Sequence, residues 1–203
     1  MDNIIRKYFN LSPKQEELLN KYVQLLLDWN RKINLISRQD QANVWEHHIL
    51  HSLSIAKFFD LSQKRIIDVG TGGGLPGIPL AIMFPNAQFT LIDSIEKKTM
   101  ALSNICQLLS LNNVSVKRIN AKECHEKFDF VVARAVADLR KFYKLTKHLV
   151  DQSAPNPKGI LYLKGGDIRK EIQPFARRTK IFELRQVFDL EFFETKKLIF
   201  IQF

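Results

Sequence analysis

Cysteine is nearly missing from this chain: 203 residues contain two, Cys106 and Cys124. Two thiols at that spacing form neither a disulfide framework nor a zinc site, and both read as ordinary reduced thiols. No apolar run approaches the ~20 residues that span a bilayer. The first 19 residues hold no uninterrupted apolar segment with a small-residue cleavage site. A soluble, cytoplasmic protein with no membrane association is therefore expected. Internal repeats and low-complexity segments are absent. Apolar residues make up 45% of the chain, which excludes wholesale disorder. The length suits one domain, or one domain with a small appendage. Glycine is scarce too, eight residues in all, yet five of them fall between positions 70 and 77.

Charge is uneven. The net charge is +10, and residues 140–185 hold twelve Lys/Arg against four Asp/Glu. The other stretches nearly cancel. A one-sided basic surface attracts phosphate backbones, so nucleic acid is a candidate partner and a merely solubilising face is the alternative.

Ser12-Pro13-Lys14-Gln15 is a helix start, with Ser12 as cap, Pro13 at the first position and Gln15 reaching back. Leu18, Leu19, Tyr22, Val23, Leu26 and Trp29 then recur at helical spacing as far as about residue 31. A second helix is expected over 43–59. Residues 1–60 thus read as a helical N-terminal extension, and 61–203 as a second domain packed against it. From 64 onward strands and helices alternate. Strands are expected over 65–69, 88–93, 114–119, 128–134 and 160–164. Helices are expected over 77–84, 96–109, 138–150 and 167–177. Two final strands, 180–188 and 196–203, are joined too closely for a crossover and should pair antiparallel. The pattern predicts an α/β fold with a mostly parallel, Rossmann-like seven-strand sheet that contains one antiparallel strand.

Ligands of such sheets bind beyond the carboxyl ends of the strands, where strand order reverses. The run IIDVGTGGGLPGIPL lies there. Gly72, Gly74 and Gly77 fit G-x-G-x-x-G, and Asp93 follows 21 residues after Gly72. A carboxylate at that point suits the two ribose hydroxyls of an adenosyl ligand and opposes a 2′-phosphate. Asp68, at the end of the first strand, would repel a pyrophosphate and favour a cationic group such as an ammonium or sulfonium. Its other reading is a brace for the loop backbone.

Among other polar residues, His47 and His51 share a helix face with His48 adjacent. The H-E-x-x-H order and a third ligand are missing, so no metal is expected and a polar face towards the cleft or RNA is. Trp29 and Trp45 read as packing residues. Arg134 follows four apolar residues at a strand end. It could meet a ligand carboxylate, a substrate phosphate or a structural ion pair.

The segment Asp-Val-Gly-Thr-Gly-Gly-Gly-Leu-Pro-Gly-Ile-Pro-Leu (68–80) closely resembles the signature of the bacterial 16S rRNA guanine-N7 methyltransferase family, RsmG or GidB. Asn34-Leu35, His48-Ile49-Leu50 with Ser52, Leu91-Ile92-Asp93-Ser94, Ala133-Arg134-Ala135 and Leu163-Lys164-Gly165 match it in order. The resemblance implies a class I methyltransferase with S-adenosylmethionine (SAM) as donor and a guanine of the small ribosomal subunit as acceptor. Carried over by motif, it implies cofactor contacts from Gly70, Leu75, Asp93, Ser94, Ile95, Ala121, Lys122 and Arg134; Asp68 and Gly72 join them on the reading above. Two departures stand out: Lys122, where many relatives have an acid, and His51, where the family has Asp.

Attack by N7 needs no general base, so no catalytic side chain is assigned. His48, Lys97, Lys98, Lys164, Arg169 and Lys170 are the candidates for substrate RNA, of which Lys164 belongs to a family-matching segment. A monomer is expected. The alternatives are a NAD-dependent dehydrogenase, on the three glycines, and a non-catalytic RNA-binding protein on the same fold.

Overall fold

The computed structural model describes residues 3–203. Helix α1 (Asn3–Tyr8) precedes α2 (Pro13–Lys32). Ser12 and Gln15 form the expected capping box: Ser12 Oγ accepts from the Gln15 amide, and Gln15 Oε1 accepts from the Ser12 amide at 2.9 Å. The Gln15 side-chain amide also donates to the Met83 carbonyl at 3.0 Å, which ties the start of α2 to the end of a helix beyond the extension.

The helix expected over 43–59 is not one regular α-helix. Arg38–Asn43 is a 3-10 turn, Val44–Leu50 is π-helical, α3 covers only His51–Leu53, and Ser54–Lys57 returns to 3-10 geometry. The His51 amide bonds to the Glu46 carbonyl five residues back. That wide turn puts Val44 and Ile49, five apart, in the same core.

Then follow β1 (Arg65–Val69), α4 (Gly77–Met83), β2 (Gln88–Asp93), α5 (Glu96–Leu108), β3 (Val114–Arg118), β4 (Phe130–Arg134), α6 (Leu139–Thr146), β5 (Gly159–Gly165), α7 (Arg169–Ile172), β6 (Thr179–Glu183) and β7 (Lys196–Gln202). Pro76 caps α4 and Pro79 sits in its first turn, where a missing N–H costs nothing. Several expected elements are shorter: the strand expected over 128–134 begins only at Phe130, and others stop early. The helix after Asp138 ends as a 3-10 turn, Lys147–Leu149. The helix expected over 167–177 passes after Ile172 into a 3-10 segment kinked at Phe175, because Pro174 cannot continue the hydrogen-bond ladder. The strand expected over 180–188 stops at Glu183, and Phe188 turns into the core.

The sheet order is β3-β2-β1-β4-β5-β7-β6. All neighbours are parallel except around β7, which runs antiparallel to both β5 and β6. The order reverses between β1 and β4, the expected switch point.

Strand alternation decides which side each functional residue serves. Ile66, Leu91, Phe130, Val132, Leu161 and Leu163 belong to one core, shared with α2, α4 and α5. Ile67, Ile92, Val131, Ala133, Ile160 and Tyr162 belong to the other, shared with α6. By the two-residue period Asp68, Asp93 and Arg134 fall on the side of the N-terminal extension, and Lys164 on the side of α6. The extension and the sheet share a continuous core, with Leu19, Tyr22 and Leu26 of α2 clustering with Ile78 and Leu102.

Candidate functional site

The chain leaves β1 through Val69 and turns sharply. Gly70 and Gly72 have φ of +70° and +56°, and the amides of Gly70 and Thr71 both donate to the Ile92 carbonyl, at 2.9 and 3.1 Å. The loop glycines have different neighbours. A Cβ on Gly74 would meet Ile78 Cδ1 at 2.6 Å, and one on Gly73 would meet Leu26 Cδ1 at 2.8 Å, so both allow close internal packing. A Cβ on Gly72 would find only the Leu35 carbonyl oxygen, at 3.8 Å. The backbone at Gly72 is therefore open on that side. Tyr22 of α2 donates to the Gly73 carbonyl at 2.8 Å within the buried interior, so the extension grips the loop directly.

Two carboxylates hold the loop. Asp68 Oδ2 accepts from Thr71 Oγ1 at 2.7 Å and from the Gly77 amide at 2.9 Å. The side chain is fully buried, and Oδ1 has no hydrogen-bond partner among the described residues. Burial raises its carboxyl to about 7, against the lowering effect of the Thr71 and Gly77 hydrogen bonds and of Arg134. Asp93, at the end of β2, accepts from the Gly72 amide at 3.1 Å and from the Ile95 amide at 2.9 Å. The next two residues are exposed, and Ile95 presents an apolar side chain to solvent at 48% exposure.

Of the contacts expected of Arg134, the structural ion pair is not formed among the described residues. Nη1 donates to the His47 carbonyl at 2.9 Å, and Nη2 to His48 Nδ1 at 2.8 Å. A guanidinium only donates, so His48 Nδ1 is unprotonated and the ring hydrogen is on Nε2. Nε2 lies 2.9 Å from Asp40 Oδ2 without the alignment of a hydrogen bond. Burial first, then Arg134, lowers His48 to about 4, while Asp40 acts the other way. His51 is buried and held well below its ordinary range, again by burial first and Arg134 next. His47 and His51 do share a face, and it packs on Phe192, stacked for His47 (3.9 Å between centroids) and edge-on for His51. The family's Asp position thus holds a neutral imidazole against Phe192 and Phe193.

After Arg134, Ala135 adopts φ +50°, an unfavourable left-handed turn for a residue with a Cβ. It directs Val136 over the loop, where a Cβ on Gly70 would meet Val136 Cγ1 at 3.0 Å. Leu75 is buried beneath the loop. Ala121 is buried in a short turn after β3, and Lys122 beside it is exposed. Lys97 and Lys98 begin α5. The structure thus gathers Asp68, Gly70, Gly72, Leu75, Asp93, Ser94 and Ile95 around one loop.

The RNA candidates divide. Lys164 lies 2.6 Å from both oxygens of Glu171, which also accepts from the Leu139 amide at 2.6 Å. Arg169 is held by Asp167 at 2.8 Å. Sequence reasoning passed over Glu171, Asp40, Tyr22 and Val136. Lys164 and Glu171 are seven apart across a loop, and Asp40 precedes an irregular helix, so no periodic signal marks either. Thr71 could have been found, since it is the one side chain between the first two glycines.

A broad depression of about 680 Å³ lies beside α6 and not over the glycine loop. Cavity size therefore does not point to the strand ends.

The chain matches the family described as rRNA small subunit methyltransferase G over residues 15–199. The protein of that description from Phocaeicola vulgatus is 44% identical over 98% of this chain and 97% of its own length. That from Bacteroides thetaiotaomicron is 44% identical over 98% of each. Among solved structures, a SAM-dependent methyltransferase from Aquifex aeolicus superposes with a TM-score of 0.57 at 15% identity, covering 82% of this chain and 96% of that one; this likeness shows the fold.

Proposed function

The chain belongs to the rRNA small subunit methyltransferase G family, and from that premise we propose that it transfers a methyl group from SAM to N7 of one guanine in 16S rRNA. The reading is carried by the family match, which spans the glycine loop and every strand end that frames it.

The residues fit the cofactor. Asp68 has a buried oxygen with no partner, which suits a cationic ligand better than a pyrophosphate. Gly72 leaves its backbone open, and Asp93 stands at the strand end where a ribose is held. When bound, SAM supplies an activated methyl group. Gly70, Gly72, Asp93, Ser94 and Ile95 would hold its ribosyl side, Ala121 and Lys122 its adenine side, and Asp68 its cationic end. Leu75 supports the loop from below. Arg134 acts one step away by fixing His47 and His48.

Guanine N7 has a lone pair and no proton, so the chain needs no general base. Its task is alignment, together with tolerance of the positive charge that passes to the base. The dehydrogenase reading is not favoured, because Asp68 opposes a dinucleotide pyrophosphate. We also propose that the protein works as a cytoplasmic monomer, with residues 1–60 and 61–203 folding as one unit through Tyr22 and the shared core. Among the described residues no helix is long and apolar enough to cross a membrane.

Calorimetry tests the cofactor assignment. SAM should bind and NADH should not. Asp93→Ala should weaken SAM binding at least tenfold and leave rRNA binding within about twofold, since one carboxylate hydrogen-bonded to a ligand contributes roughly 1.5–3 kcal/mol. NADH binding without SAM binding, or equal loss of cofactor and RNA, would overturn it.

A further inference from the structure

Helix α6 has two faces of opposite character. Leu139, Phe142 and Thr146 point into the core. Arg140, Lys141, Lys144 and, in the following turn, Lys147 recur at i, i+1, i+4 and i+7 on the exposed face. Two adjoining depressions, about 680 and 610 Å³, flank this face and share Lys141 and Lys144 as their common wall. Arg178 closes one, and Lys122 and His125 close the other.

Neutralisation separates these cations from a minority of the others. Lys14, Arg31, Lys117, Arg118, Lys164, Arg169 and Lys197 each have an ion-pair partner. Arg140 has only a loose pair with Asp138, at 3.4 Å. Among the described residues Lys141, Lys144, Lys147 and Arg178 have no ion pair. Within residues 140–185 Lys164 and Arg169 are neutralised, whereas those four unpaired cations together line the depressions. The large apolar side chains that are exposed lie elsewhere, at Ile95, Met100, Leu108, Val136 and Ile181. Tyr143, Leu145, Pro174 and Phe175 also line the depressions, but the cations outnumber them, and such a face fits a phosphate backbone better than a lipid surface or a protein core contact.

The face is also continuous with the glycine loop. Val136 rests over Gly70, and two residues later Asp138 caps α6 and lines the larger depression. At the other end Lys122 adjoins Ala121. Glu171 fixes the position of α6, because it accepts from the first helical amide while clamped by Lys164.

We propose that the exposed face of α6, centred on Lys141 and Lys144, is the track that holds the rRNA backbone beside the target guanine. This rests on the methyltransferase reading above. The track reads phosphate spacing, not sequence, and sets the reach of the strand towards the loop at Gly70.

The test is salt-dependent binding of the full chain to small subunits, and to deproteinised 16S rRNA, both from cells that lack the modification. The triple variant Lys141→Ala, Lys144→Ala, Lys147→Ala should lower the slope of log K against log salt by about 2–3, at roughly 0.7–0.9 for each phosphate the variant no longer neutralises. Its calorimetric SAM affinity should stay unchanged, which also certifies the fold. A charge-matched variant at Lys7, Lys14 and Lys21 should keep the wild-type slope. An unchanged slope in the α6 variant, or an equal fall in the control, overturns the proposal. Loss confined to intact subunits, when the wild type binds both, assigns the face to a ribosomal protein and also overturns it. A wild type that binds RNA but transfers no methyl group contradicts the enzyme reading instead, so the two failures are distinct.

Discussion

The Gly77 amide donates to Oδ2 of Asp68 at 2.9 Å, closing the glycine loop across nine residues, while Oδ1 of the same carboxylate is buried and unpartnered. One oxygen is structural, and the other is the one proposed to face the cationic end of the ligand. The cost is an acid whose group titrates near 7.

That titration has a definite sign. The folded-state value is raised above the ordinary 3.8, so the native state holds the extra proton between about pH 4 and 7. Stability from this group falls as pH rises through that window. A cationic ligand favours the ionised form, so SAM binding should release a proton and tighten as pH rises from 6 to 8. Asp68→Asn should abolish this pH dependence, weaken SAM binding at least tenfold at pH 8, and raise the unfolding midpoint at pH 8 relative to wild type. Calorimetry in buffers of different ionisation enthalpy measures the proton release. A pH-independent wild type would contradict the role of Asp68.

Gly72 and Gly74 both have positive φ, but only Gly74 is packed. Gly74→Ala should therefore destabilise the fold by about 2 kcal/mol or more, from strain plus overpacking. Gly72→Ala should cost only about 1 kcal/mol in stability, the left-handed penalty alone, yet impair SAM binding more than that penalty explains. Denaturant unfolding beside calorimetry separates the two. SAM affinity unchanged in Gly72→Ala would mean that Gly72 has no ligand role.

Arg134 and His48 form the second measurable pair. His48 is depressed to about 4, so stability from this group is lost as pH falls from about 6.5 through 4. Arg134→Gln removes the second-largest cause and leaves burial, the largest. In NMR titrations the His48 imidazole should move up from about 4 and remain below 6.5. An unchanged value would separate the guanidinium from the histidine electrostatically.

The strand ends could be read directly from the chain. Apolar runs that stop at Asp68, Asp93 and Arg134 mark buried strands with polar termini, and alternation puts all three on one side of the sheet. The segment after residue 38 could not be read this way, because its apolar spacing suits a π turn that no 3.6-residue template reveals. Arg134 illustrates a deeper limit. Its position was visible, but its partners His47 and His48 come from another element, 87 and 86 residues away. The charge excess of 140–185 was countable, whereas which cations are neutralised depends on Glu171 and Asp167 in three dimensions.

Methyl transfer to a single guanine is open to direct measurement. Purified protein, labelled SAM and small subunits from cells lacking the activity should give label in 16S rRNA at one guanine, at N7, with loss on Asp93→Ala. Tight binding of SAM and RNA with no transfer, or label at another atom or base, would contradict it.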